Sequence, residues 1–132
     1  MIENTVKEWH AIVASLDATG LDRILADNVV FHSPVVHTPQ AGKQLTTLYL
    51  AAAFQVLNND TFTYVREVVS GNDAVLEFST IIDGIVVNGV DMIRWRADGK
   101  IVDFKVMIRP LKGFQLVHQK MAEMLQKLTS GK

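Results

Sequence analysis

The chain has 132 residues, 48% hydrophobic and 20% charged, with thirteen basic against fourteen acidic side chains and no cysteine. That composition belongs to one globular domain spanning 1–132; it excludes a disordered chain and leaves no room for a second domain. Charges that nearly cancel and never cluster offer no footprint for nucleic acid, and the missing cysteines remove disulfides, thiolate catalysis and thiolate metal sites.

The opening residues, MIENTVKEWH, lack the apolar core of a signal peptide, and no later segment is long and apolar enough to span a bilayer. A cytoplasmic protein without a membrane partner is expected. Ile2, Val6, Trp9, Val13 and Leu16, with Ile12 beside them, share one helical face and predict an amphipathic first helix. Thr19 and Gly20 break it. Leu21, Ile24 and Leu25 then predict a short second helix ending near Asp27 and Asn28, followed by a strand from Val29 to Phe31 that Ser33 and Pro34 cut off.

Ser33 to Gly42 reads as a loop, on two prolines and a glycine, yet its paired valines imply that it folds against something. A third helix over Gln44 to Leu57 has almost no polar face and must be covered on most sides. Period-two alternation predicts strands near 62–70, 73–82, 85–96 and 101–109, joined by Ser-Gly-Asn-Asp, Asp-Gly and Ala-Asp-Gly-Lys turns, and hence an antiparallel meander. Pro110 stops the last strand, and Phe114, Val117, Met121, Met124, Leu125 and Leu128 mark a final amphipathic helix over 112–128.

If Asp83-Gly84 is a two-residue hairpin turn, Ile82 opposes Ile85, and counting back fixes both faces. The inner face carries Leu76, Phe78, Thr80 and Ile82 opposite Val87, Gly89, Asp91, Ile93 and Trp95, continued on the last strand by Val102, Phe104, Val106 and Ile108. Asp91 is the lone carboxylate of the first two strands on that face, and burying it as an unpartnered ion would cost several kcal/mol. It must therefore pair, accept hydrogen bonds or stay protonated. The outer face mixes polar groups with Val75, Val86, Val90, Met92 and Met107, an apolar patch that a homodimer through the sheet would bury. A turn at Gly71-Asn72 places Arg66 opposite Glu77 and predicts a pair on the outer face.

Two segments, Phe31-His32-Ser33-Pro34-Val35-Val36-His37-Thr38-Pro39-Gln40-Ala41-Gly42 and Gly89-Val90-Asp91-Met92-Ile93-Arg94-Trp95 with Asp98-Gly99-Lys100-Ile101-Val102 after it, resemble the SnoaL-like and ketosteroid-isomerase branches of the nuclear-transport-factor-2-like superfamily. The resemblance implies an α+β fold, a cone-shaped curved antiparallel sheet packed on three N-terminal helices, here with an extra C-terminal helix. It implies that Asp91 occupies the position of an acid that donates a hydrogen bond to a developing oxyanion. The isomerase's base position, immediately before the proline, holds Ser33, and its catalytic tyrosine corresponds to Ile12. The carboxylate that limonene-epoxide hydrolases carry on the last strand falls at Val106.

Asp91 and His32 are the candidate catalytic pair, an acid on an apolar face and an imidazole with an unperturbed pKa near neutrality. Strict alternation turns only one of His32 and Ser33 inward. Trp9, Phe31, Ser33, His37, Tyr49, Phe54, Phe78 and Val106 are the candidate ligand contacts, because small-molecule pockets are mostly apolar with a few converging polar groups. His10 and His118 lie on the polar sides of their helices and are expected to face solvent. A metal held by His32, His37 and Asp91 lacks any closely spaced ligand motif, so neither a metal nor an organic cofactor is expected. The sequence therefore predicts a cone-fold protein that binds an apolar or aromatic small molecule through Asp91. It is either a cofactor-independent isomerase, hydrolase or cyclase, or a non-catalytic carrier or dimerisation module.

Overall fold

The computed structural model describes residues 2–130, with side chains from residue 4 onward, so the side chain of Ile2 lies outside the described residues. Helix α1 (Ile2–Ser15) leads through a 3-10 turn (Ala18–Gly20) into α2 (Leu21–Ile24) and β1 (Leu25–His32). Next come β2 (Gln40–Ala41), α3 (Lys43–Leu57), β3 (Thr63–Ser70), β4 (Asp73–Ile82), β5 (Ile85–Trp95), β6 (Ile101–Arg109) and α4 (Leu111–Ser130). The six strands form one sheet in the order β2-β1-β6-β5-β4-β3. Together these elements make the expected α+β cone, a curved sheet against helices.

The predicted meander is present from β3 to β6. Ile82 pairs with Ile85, and Asp83 and Gly84 both take positive φ, 51° and 78°. This is the mirror-image turn that suits the strand twist, and glycine is the residue that adopts it without steric cost. Arg66 opposes Glu77, their charged groups 3.3 Å apart. Both side chains sit on the outer face as the register requires.

Three local expectations are corrected. The second helix stops at Ile24, and Leu25 and Ala26 open the strand, because both are buried and β1 lies parallel to β6, Leu25 opposite Ile101. The sheet is thus mixed at that side rather than antiparallel throughout. Within the predicted loop, Gln40 and Ala41 pair with Phe31 and Val30 to form a short edge strand. On β6, Ile101 rather than Val102 is buried, since the register slips between Arg94 and Trp95 and leaves Val102 as an extra residue. Such a bulge bends the strand and reverses the facing of what precedes it.

Helix α1 lays Val6, Trp9, Ile12 and Val13 onto the inner sheet face, and α3 buries Thr46, Leu50, Ala52, Phe54 and Leu57 against β1 and its neighbours. Helix α4 packs on α3, β5 and β6 and buries Val117. The C-terminal helix thus closes the mouth of the cone, with Val117, Met121 and Leu125 facing inward. No helix among the described residues is long and apolar enough to cross a membrane.

Candidate functional site

Between α1, α3, α4 and the concave face of the sheet lies a cavity of about 190 Å³. Eight of the chain's ten aromatic residues line it, so its walls are largely apolar. The rings support one another: Trp9 lies 5.0 Å from Phe104, Phe31 lies 5.4 Å from Tyr49, and Phe62 stacks on Phe78 at 5.2 Å.

Asp91 faces this cavity because β5 alternates Val87, Gly89, Asp91, Ile93 and Trp95 inward, with Leu76 on β4 and Val106 on β6 as its cross-strand neighbours. Its partner is a residue that the sequence reading missed. Tyr64, inward on β3, reaches over β4 and donates its hydroxyl to Asp91 Oδ2 at 2.8 Å, while accepting from Trp9 Nε1 at 3.0 Å. The phenol is thereby satisfied on both sides, and Tyr64 holds one carboxyl oxygen. Burial pushes the Asp91 carboxyl up to about 7, and the Tyr64 hydrogen bond offsets only part of that rise. Burial, and then the neighbouring Asp91 charge, push the Tyr64 phenol well above its ordinary value, so it is a donor at neutral pH.

Since the Tyr64 bond lowers the pKa of Asp91, Tyr64→Phe is expected to drive the carboxyl further up and to leave the Trp9 indole without its acceptor. A stability loss of about 1–3 kcal/mol should accompany the change. An infrared titration of the protonated carboxyl band would show the shift, and an unchanged or lowered midpoint would contradict this geometry.

The expected meeting of Asp91 with His32 does not occur. Phe31 and Ser33 line the cavity, and His32 between them turns to the opposite face, where its Nε2 lies 2.8 Å from Asp103 Oδ1. His37 is exposed and outside the lining, because its loop turns outward after Val36. Trp9, Phe31, Ser33, Tyr49, Phe54, Phe78 and Val106 all lie on the cavity wall. Ser33 Oγ accepts the Val35 amide at 3.1 Å, a local turn bond. His118, expected to face solvent, is exposed yet also borders the cavity from α4. Trp95 is core, and Ile12 is a buried apolar residue of α1. Among the described residues no group of three histidine or acidic side chains could hold a metal ion.

A curved sheet wrapped with helices around one apolar chamber defines the cone fold of the nuclear-transport-factor-2-like and ketosteroid-isomerase-like proteins. The chain belongs to the SnoaL-like domain family, whose pattern matches residues 6–104. It is similar to the crystal structure of a steroid delta-isomerase from Pseudomonas aeruginosa, at 38% identity and TM-score 0.92, over 98% of this chain and 94% of that one. It is also similar to an uncharacterized bacterial protein with a cystatin-like fold from Silicibacter pomeroyi, at 28% identity and TM-score 0.83, over 90% and 83% of the two chains. A de novo designed protein with a curved β-sheet shares the fold alone, at 17% identity and TM-score 0.73, over 92% and 97%. No curated protein matches the chain.

Proposed function

We propose that the protein binds a small, largely apolar molecule bearing a carbonyl or similar acceptor, which takes a hydrogen bond from the protonated carboxyl of Asp91. The observation that carries this reading is a buried acid, pushed up to about 7, on the wall of an aromatic cavity of about 190 Å³. At neutral pH roughly half of such a group holds its proton. Tyr64 occupies Oδ2, which leaves the other oxygen for a ligand. The cavity exceeds the space of one or two waters several-fold, which argues against a filled core serving dimerisation alone.

A donor aimed at a carbonyl oxygen also stabilises the negative charge that develops there when the adjacent carbon loses a proton. Likeness to a protein described as a steroid delta-isomerase supports this cofactor-free isomerase class as a second reading. The weak point is the base. Ser33 stands before Pro34 with its hydroxyl bonded to Val35, and His32 is held by Asp103 on the far face. Binding with polarisation of the carbonyl is therefore the function best supported.

Calorimetry with 1-tetralone and its hydrocarbon counterpart tetralin tests the reading. The ketone should bind about tenfold tighter at pH 6, the worth of one hydrogen bond. That preference should vanish at pH 9 and shrink in Asp91→Asn. Equal affinities at pH 6, or a preference that grows with pH, would sink it. Deuterium uptake beside the carbonyl, followed by NMR, separates catalyst from carrier: acceleration by the protein means proton transfer, and no acceleration means binding alone.

We further propose that two copies associate through the outer sheet face. Val86, Met107 and Met92 are 54%, 53% and 38% exposed there, with Val75 and Val90 half-buried beside them. A charge placed in the middle of that patch, Met107→Glu, should convert a dimer to a monomer in sedimentation equilibrium. A wild-type monomer at micromolar concentration would refute the interface.

A further inference from the structure

The aromatic cavity adjoins a second, polar cleft of about 440 Å³ between the end of α1 and the start of β3. Val13, Asn58, Phe62 and Tyr64 wall both chambers. The outer cleft is completed by groups of different chemistry, among them His10, Asp60 and Thr63.

Asn58 and Asn59 follow α3 in succession and are used in opposite ways. Asn59 is spent on the fold: its Oδ1 accepts the Thr61 amide at 2.8 Å and the Thr80 hydroxyl at 3.1 Å, and its Nδ2 donates to the Ile81 carbonyl at 2.9 Å. Asn58 contributes its backbone amide to the helix end, at 3.3 Å from the Phe54 carbonyl, but among the described residues its side-chain amide bonds no protein group. Its φ of −91° and ψ of 59° lie outside the left-handed region, so the helix end does not demand asparagine there. A half-buried amide unused by the fold, on the wall between an apolar chamber and a polar one, is placed to meet a ligand.

We infer that Asn58 is a second ligand contact, and that the ligand has two polar ends: an acceptor at Asp91 and a neutral hydroxyl or carbonyl at Asn58, with an apolar body between. The inference rests on the cavity reading proposed above and narrows its ligand class. The Asn58 amide compensates no charge and so matches a neutral group, while Asp60 in the lining and the engagement of His10 by Glu67 oppose an anion. Phe62, which stacks on Phe78 and meets Tyr64 edge-on at 5.1 Å, forms the apolar waist between the two ends.

The test compares 1-tetralone with its ring-hydroxylated isomers by calorimetry at pH 6, in wild type, Asn58→Ala, Asn58→Ser and Tyr49→Phe, with thermal melts confirming that each variant is folded. At least one isomer should bind wild type about tenfold tighter than the parent ketone. For that isomer the ratio should fall to about one in Asn58→Ala, be partly retained in Asn58→Ser, whose hydroxyl still offers a partner, and persist in Tyr49→Phe. No gain for any isomer, a gain that survives Asn58→Ala, or a gain lost in Tyr49→Phe instead, overturns the assignment of Asn58 while leaving the Asp91 reading intact. Failure of every ketone to bind wild type overturns the cavity reading and this inference with it.

Discussion

Asp91→Asn is expected to be more stable than wild type at about pH 8 and to lose the pH dependence that wild type shows between about pH 4 and about pH 7. The folded carboxyl titrates about three units above its unfolded value of 3.8. Folding therefore favours the protonated form. Its contribution is fully present below the unfolded value, declines as pH rises, and is lost once pH passes the folded value of about 7. The full span is on the order of 4 kcal/mol, at about 1.4 kcal/mol per unit. An amide side chain keeps an oxygen for the Tyr64 hydroxyl but cannot ionise, so the variant should escape the decline. Urea midpoints measured across the range check this. A variant destabilised by several kcal/mol at neutral pH would mean that the carboxylate is ionised and held by structure.

The second large effect is expected at Gly89→Ala. Phe78 pairs with Gly89 across β4 and β5, and its ring lies directly over the glycine. A Cβ there would meet Phe78 Cζ at 2.2 Å and the Met107 carbonyl at 2.9 Å. Backbone cannot retreat, so the ring must move into the cavity. Overpacking of this kind costs about 3 kcal/mol, and the displaced ring should also weaken ligand binding. Phe78→Leu frees the space, so the double variant should be less destabilised than the sum of the two single changes. Additive effects, or a Gly89→Ala cost under about 0.5 kcal/mol, would show that Phe78 does not rest on the glycine.

The order of elements, the hairpin at Asp83-Gly84 and the inward facing of Phe78 and Asp91 were legible because period-two alternation is a strong signal once one turn fixes the register. What alternation could not give was each place where the ladder slips. Counted outward from the pair Arg66 and Glu77, Tyr64 would share their outer face. An extra residue at Val65 turns it inward opposite Phe78, and so delivers the hydroxyl that Asp91 needs. The isomerase's tyrosine position holds Ile12, and in this chain the phenol beside Asp91 comes instead from β3. A second slip, at Val102, exchanged Val102 for Ile101 in the core. Strict alternation did hold from Phe31 to Ser33, which is why His32 points away from the cavity. Leu25 and Ala26 were misassigned for another reason: a run buried on both sides has no period, so a short helix and a parallel strand read alike. Asn58 gave no sequence signal. Its interest lies only in what the fold leaves unbonded.

A carboxyl ¹³C NMR titration of aspartate-labelled protein measures directly whether the acid inside the cavity carries a proton to donate at neutral pH. The resonance that disappears in Asp91→Asn should titrate with a midpoint near 7. A midpoint near the ordinary value of 3.8 would leave Asp91 a carboxylate at neutral pH, unable to donate to any ligand, and would contradict the account.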